Sequence, residues 1–247
     1  MALKTTLEYS PNFNSKKRIF KQIKFIVFHY TGMKKESEAI NRLTNIQSEV
    51  SCHYLIKKNG EIITMVPDLY IAWHVGKSFW RKYKSLNQNS IGIEITNPGH
   101  EFSYKKFSKK QIYSLLKLSK FLIKKYKINP KNILGHSDVA PNRKKDPGEK
   151  FPWKYFSQKK IGLWHTKKKP ELIKSRKVKT SKVDKKLFFN NLFKIGYSKE
   201  IQKNINKENY FKSITKAFQR RFRQELVNGK IDRECLLIST NILKKYN

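Results

Sequence analysis

Three short runs of the chain, KFIVFH at 24–29, SIGIEI at 90–95 and NILGH at 132–136, join β-branched and aromatic residues to an ionisable side chain at or near the end. Runs of this length and make-up suit buried strands. In the second, Ile91, Ile93 and Ile95 alternate with Gly92, Glu94 and Thr96. The isoleucines therefore share one face of a strand, and Glu94 points a lone carboxylate to the other. A strand ending at His29, another carrying Glu94 and a third emptying into His136 put chemistry at strand ends, where mixed α/β sheets tend to build their sites.

The segments between these runs supply helices and a hairpin. ESEAINRLTNI at 36–46 sets Ala39, Ile40, Leu43 and Ile46 at helical spacing, and HYLIKKNGEIITMV at 53–66 gives two strand-like runs joined by Asn59-Gly60. Ser108 and Gln111 form a capping box before a helix whose Ile112, Leu115, Leu116, Leu122, Ile123 and Tyr126 make one stripe, and which stops before Asn129-Pro130. The expected fold class is α/β, a mixed central β-sheet flanked by helices. From about His165 to Lys186 the apolar period lapses and charge dominates, as in a linker or extended arm. Beyond it KLFFNNLFKIGY ends on Gly196 as a helix C-cap, SITKAFQRRF repeats Ile214, Phe218 and Phe222, and DRECLLISTNIL opens on Asp232 as an N-cap. These fit a small unit of three helices.

Composition narrows the function class. With 16 Phe, 12 Tyr and 4 Trp in 247 residues there is ample material for a core. The formal charge of +37, from 55 basic and 18 acidic residues, favours polyanionic surroundings. Yet the lysines are scattered over every segment without a nucleic-acid motif, so no specific nucleic-acid role is expected, and a basic membrane-surface binder would rest on charge alone. No apolar run is long enough for a transmembrane segment, and the N-terminus has no apolar signal region; the expectation from this is a soluble chain, with the cytoplasm favoured over the periplasm or cell envelope. Cys52 and Cys235 are isolated thiols, which argues against a disulfide framework.

Taken singly, His29 or His136 reads equally well as an ordinary core histidine. Jointly with Asp146, on a loop that Pro147 biases toward extended backbone, they offer two imidazoles and one carboxylate from distant segments. That is the ligand set of a catalytic zinc, with a fourth position open for water. Its water needs a proton acceptor and its oxyanion a counter-charge, for which Glu94 and Lys144 are the candidates.

VFHYT, VSCHYLI, AWHVG, NSIGIEITNPG and GHSDVAPNRKKDPG, in this order, resemble the type-2 N-acetylmuramoyl-L-alanine amidases, a zinc family that shares its fold with peptidoglycan recognition proteins. The resemblance implies a zinc amidase domain over 1–165 with His29, His136 and Asp146 as metal ligands and Glu94 and Lys144 as catalytic residues. It also implies substrate-binding residues around Trp73, His74 and Asn89. The expected reaction is hydrolysis of the amide between N-acetylmuramic acid and L-alanine in peptidoglycan or muropeptides, by a monomer. The alternative is a non-catalytic recognition module on the same fold. The tail resembles peptidoglycan-binding-like three-helix domains, implying a basic linker at 166–183 and a helical domain at 184–247. His53 is expected to be structural, Cys52 a buried thiol, and His100 and His165 solvated.

Overall fold

Phe25, Ile26, Val27 and Phe28 are all buried, because the strand they form lies deep in a sheet covered on both faces. The computed structural model of the chain describes residues 3–201 and 205–246. In chain order its elements are β1 (Thr6–Leu7), β2 (Phe13–Asn14), β3 (Phe25–Phe28), α1 (Glu36–Thr44), β4 (Tyr54–Ile56), β5 (Ile62–Thr64), β6 (Ile71–Ala72), β7 (Phe79–Trp80), β8 (Tyr83–Lys84), β9 (Ser90–Ile95), α2 (Lys109–Tyr126), β10 (Ile133–Gly135), α3 (His136–Val139), α4 (Trp153–Gln158), α5 (Lys169–Arg176), α6 (Lys182–Ile195), α7 (Lys207–Phe222) and α8 (Arg233–Tyr246).

The main sheet has the order β1-β5-β4-β9-β3-β10. Strands β4, β9, β3 and β10 run parallel, whereas β5 is antiparallel to β4 across the Asn59-Gly60 turn. This is the mixed sheet flanked by helices that the sequence predicts. Period-two alternation divides the side chains between two cores. Ile26, Phe28, Ile91, Ile93 and Ile95 pack against Leu115, Leu118 and Leu122 of α2 and against Phe151, Trp153 and Phe156 around α4. The Ser108 hydroxyl accepts from the Gln111 amide and the Gln111 side chain accepts in return from the Ser108 amide, so α2 starts where its capping box predicts.

The opposite face carries Phe25, Val27 and Leu134, which join Trp80, Leu86 and the apolar sides of α6, α7 and α8 in one continuous cluster. The helices beyond residue 182 thus share a core with the sheet. The stretch 166–183, expected to be an extended linker, contains the helix α5 with Leu172 and Ser175 buried. A single buried leucine in eight residues is too little to set up a visible period. The expected units reach residues 1, 2, 202–204 and 247, which lie outside the described residues. Among the described residues no helix is long and apolar enough to cross a membrane. Cys52 and Cys235 are both free and buried.

Candidate active site

Strand register brings the chemistry together. Phe28 pairs with Ile93 on one side and with Gly135 on the other, so the next residues, His29, Glu94 and His136, emerge abreast from three adjacent parallel strands. Neighbouring strands are about 4.8 Å apart, close enough for their side chains to meet at one point. Asp146 arrives from the following loop, whose path is tied down where the Ser137 amide donates to the Asp146 carbonyl at 2.8 Å. The Nδ1 atoms of His29 and His136 are 2.9 Å apart, and Asp146 Oδ2 is 3.0 Å from the first and 3.1 Å from the second.

The outer nitrogens of both rings are committed elsewhere, which fixes their tautomers. Ser90 donates its hydroxyl proton to the Leu86 carbonyl at 2.7 Å, so Ser90 Oγ accepts from His74 Nε2–H at 3.0 Å. His74 Nδ1 is then the acceptor for His29 Nε2–H, also at 3.0 Å. His136 donates Nε2–H to the Val75 carbonyl at 3.1 Å. Both Nδ1 atoms are therefore bare and face a carboxylate oxygen. Three electron-pair donors this close repel one another unless a cation lies among them. Their spacing is near the roughly 3.3 Å edge of a tetrahedron of ligands about 2.0 Å from a small divalent metal. His29, His136 and Asp146, all buried, are the group able to hold a metal ion among the described residues.

Burial, and then the neighbouring His136, pulls His29 down to about 4, so its ring is neutral near pH 7. Asp146 is buried as well, yet the two histidines hold its carboxyl well below the usual range. Glu94 is pushed the other way: burial first and then Asp146 raise it to about 8, against the opposing charge of Lys144. Its Oε1 lies 3.9 Å from His29 Nδ1, and its buried Oε2 has no hydrogen-bond partner. A carboxyl so tuned can take up and release a proton near neutrality.

Arg143, Lys144 and Lys145 all border the same cleft, of about 380 Å³. Arg143 spends its guanidinium on the carbonyls of Val75 and Lys77, at 2.9 and 2.6 Å, and Lys145 is exposed. Lys144 is half-buried, and its charge is the one felt at both Glu94 and His29. Trp73 forms part of the cleft wall, braced by Nε1–H donating to Asn14 Oδ1. His74 borders it too, but both its ring nitrogens are engaged inside the protein. Asn89 lies elsewhere: it donates to the Gln22 carbonyl at 3.1 Å, at the far end of β9 from Glu94. The intervening strand holds the two about 16 Å apart.

His53, expected to be structural, accepts from the Gly92 amide at Nδ1, 3.0 Å, and its Nε2 lies 3.1 Å from the Tyr70 carbonyl. His100 and His165, expected to be solvated, are each only partly exposed. His100 borders the cleft between the Tyr30 hydroxyl at 2.8 Å and Glu149 at 3.0 Å, and its ring stacks on Tyr104. His165 stacks on Trp164, and burial lowers its pKa. Tyr30 and Glu149 reach His100 from remote segments, so that environment is not visible locally. Sequence reasoning also missed Ser90 and the Val75 carbonyl, which no residue pattern marks as ring anchors.

Residues 19–149 match the N-acetylmuramoyl-L-alanine amidase family. The chain is 35% identical over 239 residues to N-acetylmuramoyl-L-alanine amidase AmiD of Escherichia coli, a match spanning 92% of this chain and 84% of that protein. Among solved structures, AmiD in complex with the substrate anhydro-N-acetylmuramic acid-L-Ala-D-gamma-Glu-L-Lys superposes with a TM-score of 0.78 at 33% identity, covering 94% of this chain and 93% of the other. AmpDh3 of Pseudomonas aeruginosa in complex with anhydromuramic pentapeptide gives the same TM-score at 29% identity, over 96% and 97% of the two chains.

Proposed function

The chain belongs to the N-acetylmuramoyl-L-alanine amidase family, and on that premise we propose how its residues cut the amide bond between N-acetylmuramic acid and L-alanine. The ligands of a zinc ion are His29, His136 and Asp146. The observation that carries this reading is the convergence of two bare Nδ1 atoms and one carboxylate oxygen at 2.9–3.1 Å beside the half-buried Glu94. When bound, zinc supplies polarisation of the scissile carbonyl and a more acidic water.

The protein does the rest. Glu94 takes the proton of the attacking water and delivers it to the departing alanine nitrogen, so that one water is consumed and a carboxylic acid and an amine are released. The Lys144 ammonium neutralises the negative charge that gathers on the carbonyl oxygen. His74 and the Val75 carbonyl keep the two imidazoles in the ligating tautomer. Trp73 walls the cleft. Arg42, Arg143 and Lys145, also on its border, attract the carboxylates of a stem peptide.

The two bound complexes of similar enzymes support soluble anhydromuropeptides as substrates for this chain. Every proposed ligand and catalytic group comes from one chain, which supports a monomer as the active state. Residues 184–247 would serve as the peptidoglycan-binding-like unit. The test is cleavage of a soluble anhydromuropeptide and of intact sacculi, with mass analysis of products. Activity should vanish on chelation, return with added zinc and be far slower in a metal-loaded Glu94→Gln protein; full activity after chelation would overturn the assignment.

A further inference from the structure

The catalytic turn is gripped by the C-terminal helices. Asp138 sits two residues after His136 in the same four-residue helical turn and is almost fully buried. Its Oδ1 accepts from the Tyr197 hydroxyl at 2.7 Å, and its Oδ2 accepts from Arg221 Nη1 at 2.5 Å and from the Gly135 amide at 2.8 Å. The second Arg221 nitrogen donates to the Ile133 carbonyl at 2.9 Å, and the guanidinium lies 4.2 Å from the centre of the Trp153 ring. Two of the three donors to Asp138, and a further tie to the strand feeding His136, thus come from the ends of α6 and α7.

The corner that delivers Tyr197 is itself anchored. Gly196, at φ +146°, lets Trp80 approach so closely that a Cβ there would lie 2.4 Å from the indole. The Tyr197 ring packs edge-on against Trp80 at 5.0 Å, and the Gly196 carbonyl accepts from the Arg81 amide at 2.7 Å. On the other side of the turn, Gly135 touches Pro147, the neighbour of Asp146.

We infer that Tyr197 and Arg221 are positioning residues for the metal ligand His136, so that the helical unit is a working part of the metal centre as well as an appendage. A single helical turn cannot hold its own geometry, since its few internal hydrogen bonds do not offset the cost of ordering it. Asp138 provides the hold, and as a buried carboxylate it stays in place only while its partners compensate its charge. Without them the turn relaxes toward water and carries His136 with it.

This inference rests on His136 being a ligand, so His136→Ala serves as the reference in the test. Full-length Tyr197→Phe, Arg221→Met and Arg221→Lys are compared for zinc affinity by chelator competition, for thermal unfolding, and for kcat and KM on a soluble anhydromuropeptide. Tyr197→Phe keeps the ring on Trp80 and should fold normally, yet lose roughly tenfold in zinc affinity. Its kcat should fall at unchanged KM. Arg221→Met should lose more and Arg221→Lys should recover part of the loss; if Arg221→Met does not fold, Tyr197→Phe decides. Wild-type zinc affinity in both Tyr197→Phe and Arg221→Lys, with zinc lost in His136→Ala, overturns this inference alone. Zinc retained in His136→Ala overturns the ligand assignment and this inference with it.

Discussion

His74 Nδ1 lies 3.0 Å from His29 Nε2, on the opposite side of the His29 ring from Asp146. The contact sets an AWHVG histidine, which the resemblance assigns to the substrate, against the ring of His29. Gly92 is part of the same device: a Cβ at that position would stand 2.4 Å from the His74 ring, so only glycine leaves the imidazole its place. A strand residue without a side chain is here the seat of a ring that props up its neighbour.

Replacing His74 by Phe keeps an aromatic ring and removes both hydrogen bonds. Zinc affinity is expected to fall on the order of 10- to 100-fold, and Ser90→Ala should cause a smaller loss by freeing the His74 ring to rotate. Gly92→Ala should behave like His74→Phe. Competition against a chromogenic chelator measures all three, and an unchanged affinity in His74→Phe would show that the ring does not aim His29.

Glu94 makes stability of the metal-free protein depend on pH. Its carboxyl is raised to about 8 by burial and by Asp146, against 4.5 in an unfolded chain. Between these values the folded state holds a proton that the unfolded chain has released, so this group's contribution falls as pH rises through that window, by on the order of a few kcal/mol. His29, lowered to about 4, acts in the opposite sense between 4 and 6.5. The difference between wild type and Glu94→Gln isolates the glutamate: after chelation, the melting temperature of the variant should gain on that of the wild type as pH goes from 5 to 8.

Lys144 is distinguished from its neighbours by its effect on Glu94. Lys144→Met should lower kcat roughly 100-fold or more while zinc is retained. Loss of the cation also lets the Glu94 pKa rise, so the acid limb of the kcat/KM profile should move to higher pH. Lys145→Met, which alters an exposed side chain, should leave the limb where it is. A pH–rate series on the two variants reads the contrast directly.

Away from the site, Asp68 accepts hydrogen bonds from Tyr54, Tyr126 and Lys125, at 2.6, 2.6 and 2.8 Å. Burial alone would raise its pKa, but these donors hold it below the ordinary value. Its stabilising contribution is therefore present above an unfolded value near 3.8 and is lost as pH falls through the folded one. Asp68→Asn should cost about 2–3 kcal/mol at pH 7 in denaturant unfolding, and the loss should shrink in acid.

The sequence by itself determined the parts whose cause is local. The alternation around Glu94, the Asn59-Gly60 turn, the Ser108–Gln111 cap and the strands ending at His29 and His136 are all set by side-chain period and backbone preference within a dozen residues. That His29, His136, Asp146, Glu94 and Lys144 would be brought to one place was legible because each sits in a distinctive short motif. Only the tertiary structure decided the roles that depend on which segments meet. It tied both ring nitrogens of His74, at the cleft border, to His29 and Ser90, and put Asn89 at the far end of the strand from Glu94. It placed His100 between Tyr30 and Glu149, and it merged the tail into the core of the sheet through Phe25, Val27 and Leu134. Tyr197 and Arg221 reach Asp138 across gaps of 59 and 83 residues, distances over which no local period or propensity carries information. Pairing at that range is chosen by the packing of whole elements, in which buried charge must find its partner, and that choice exists only once the chain has folded.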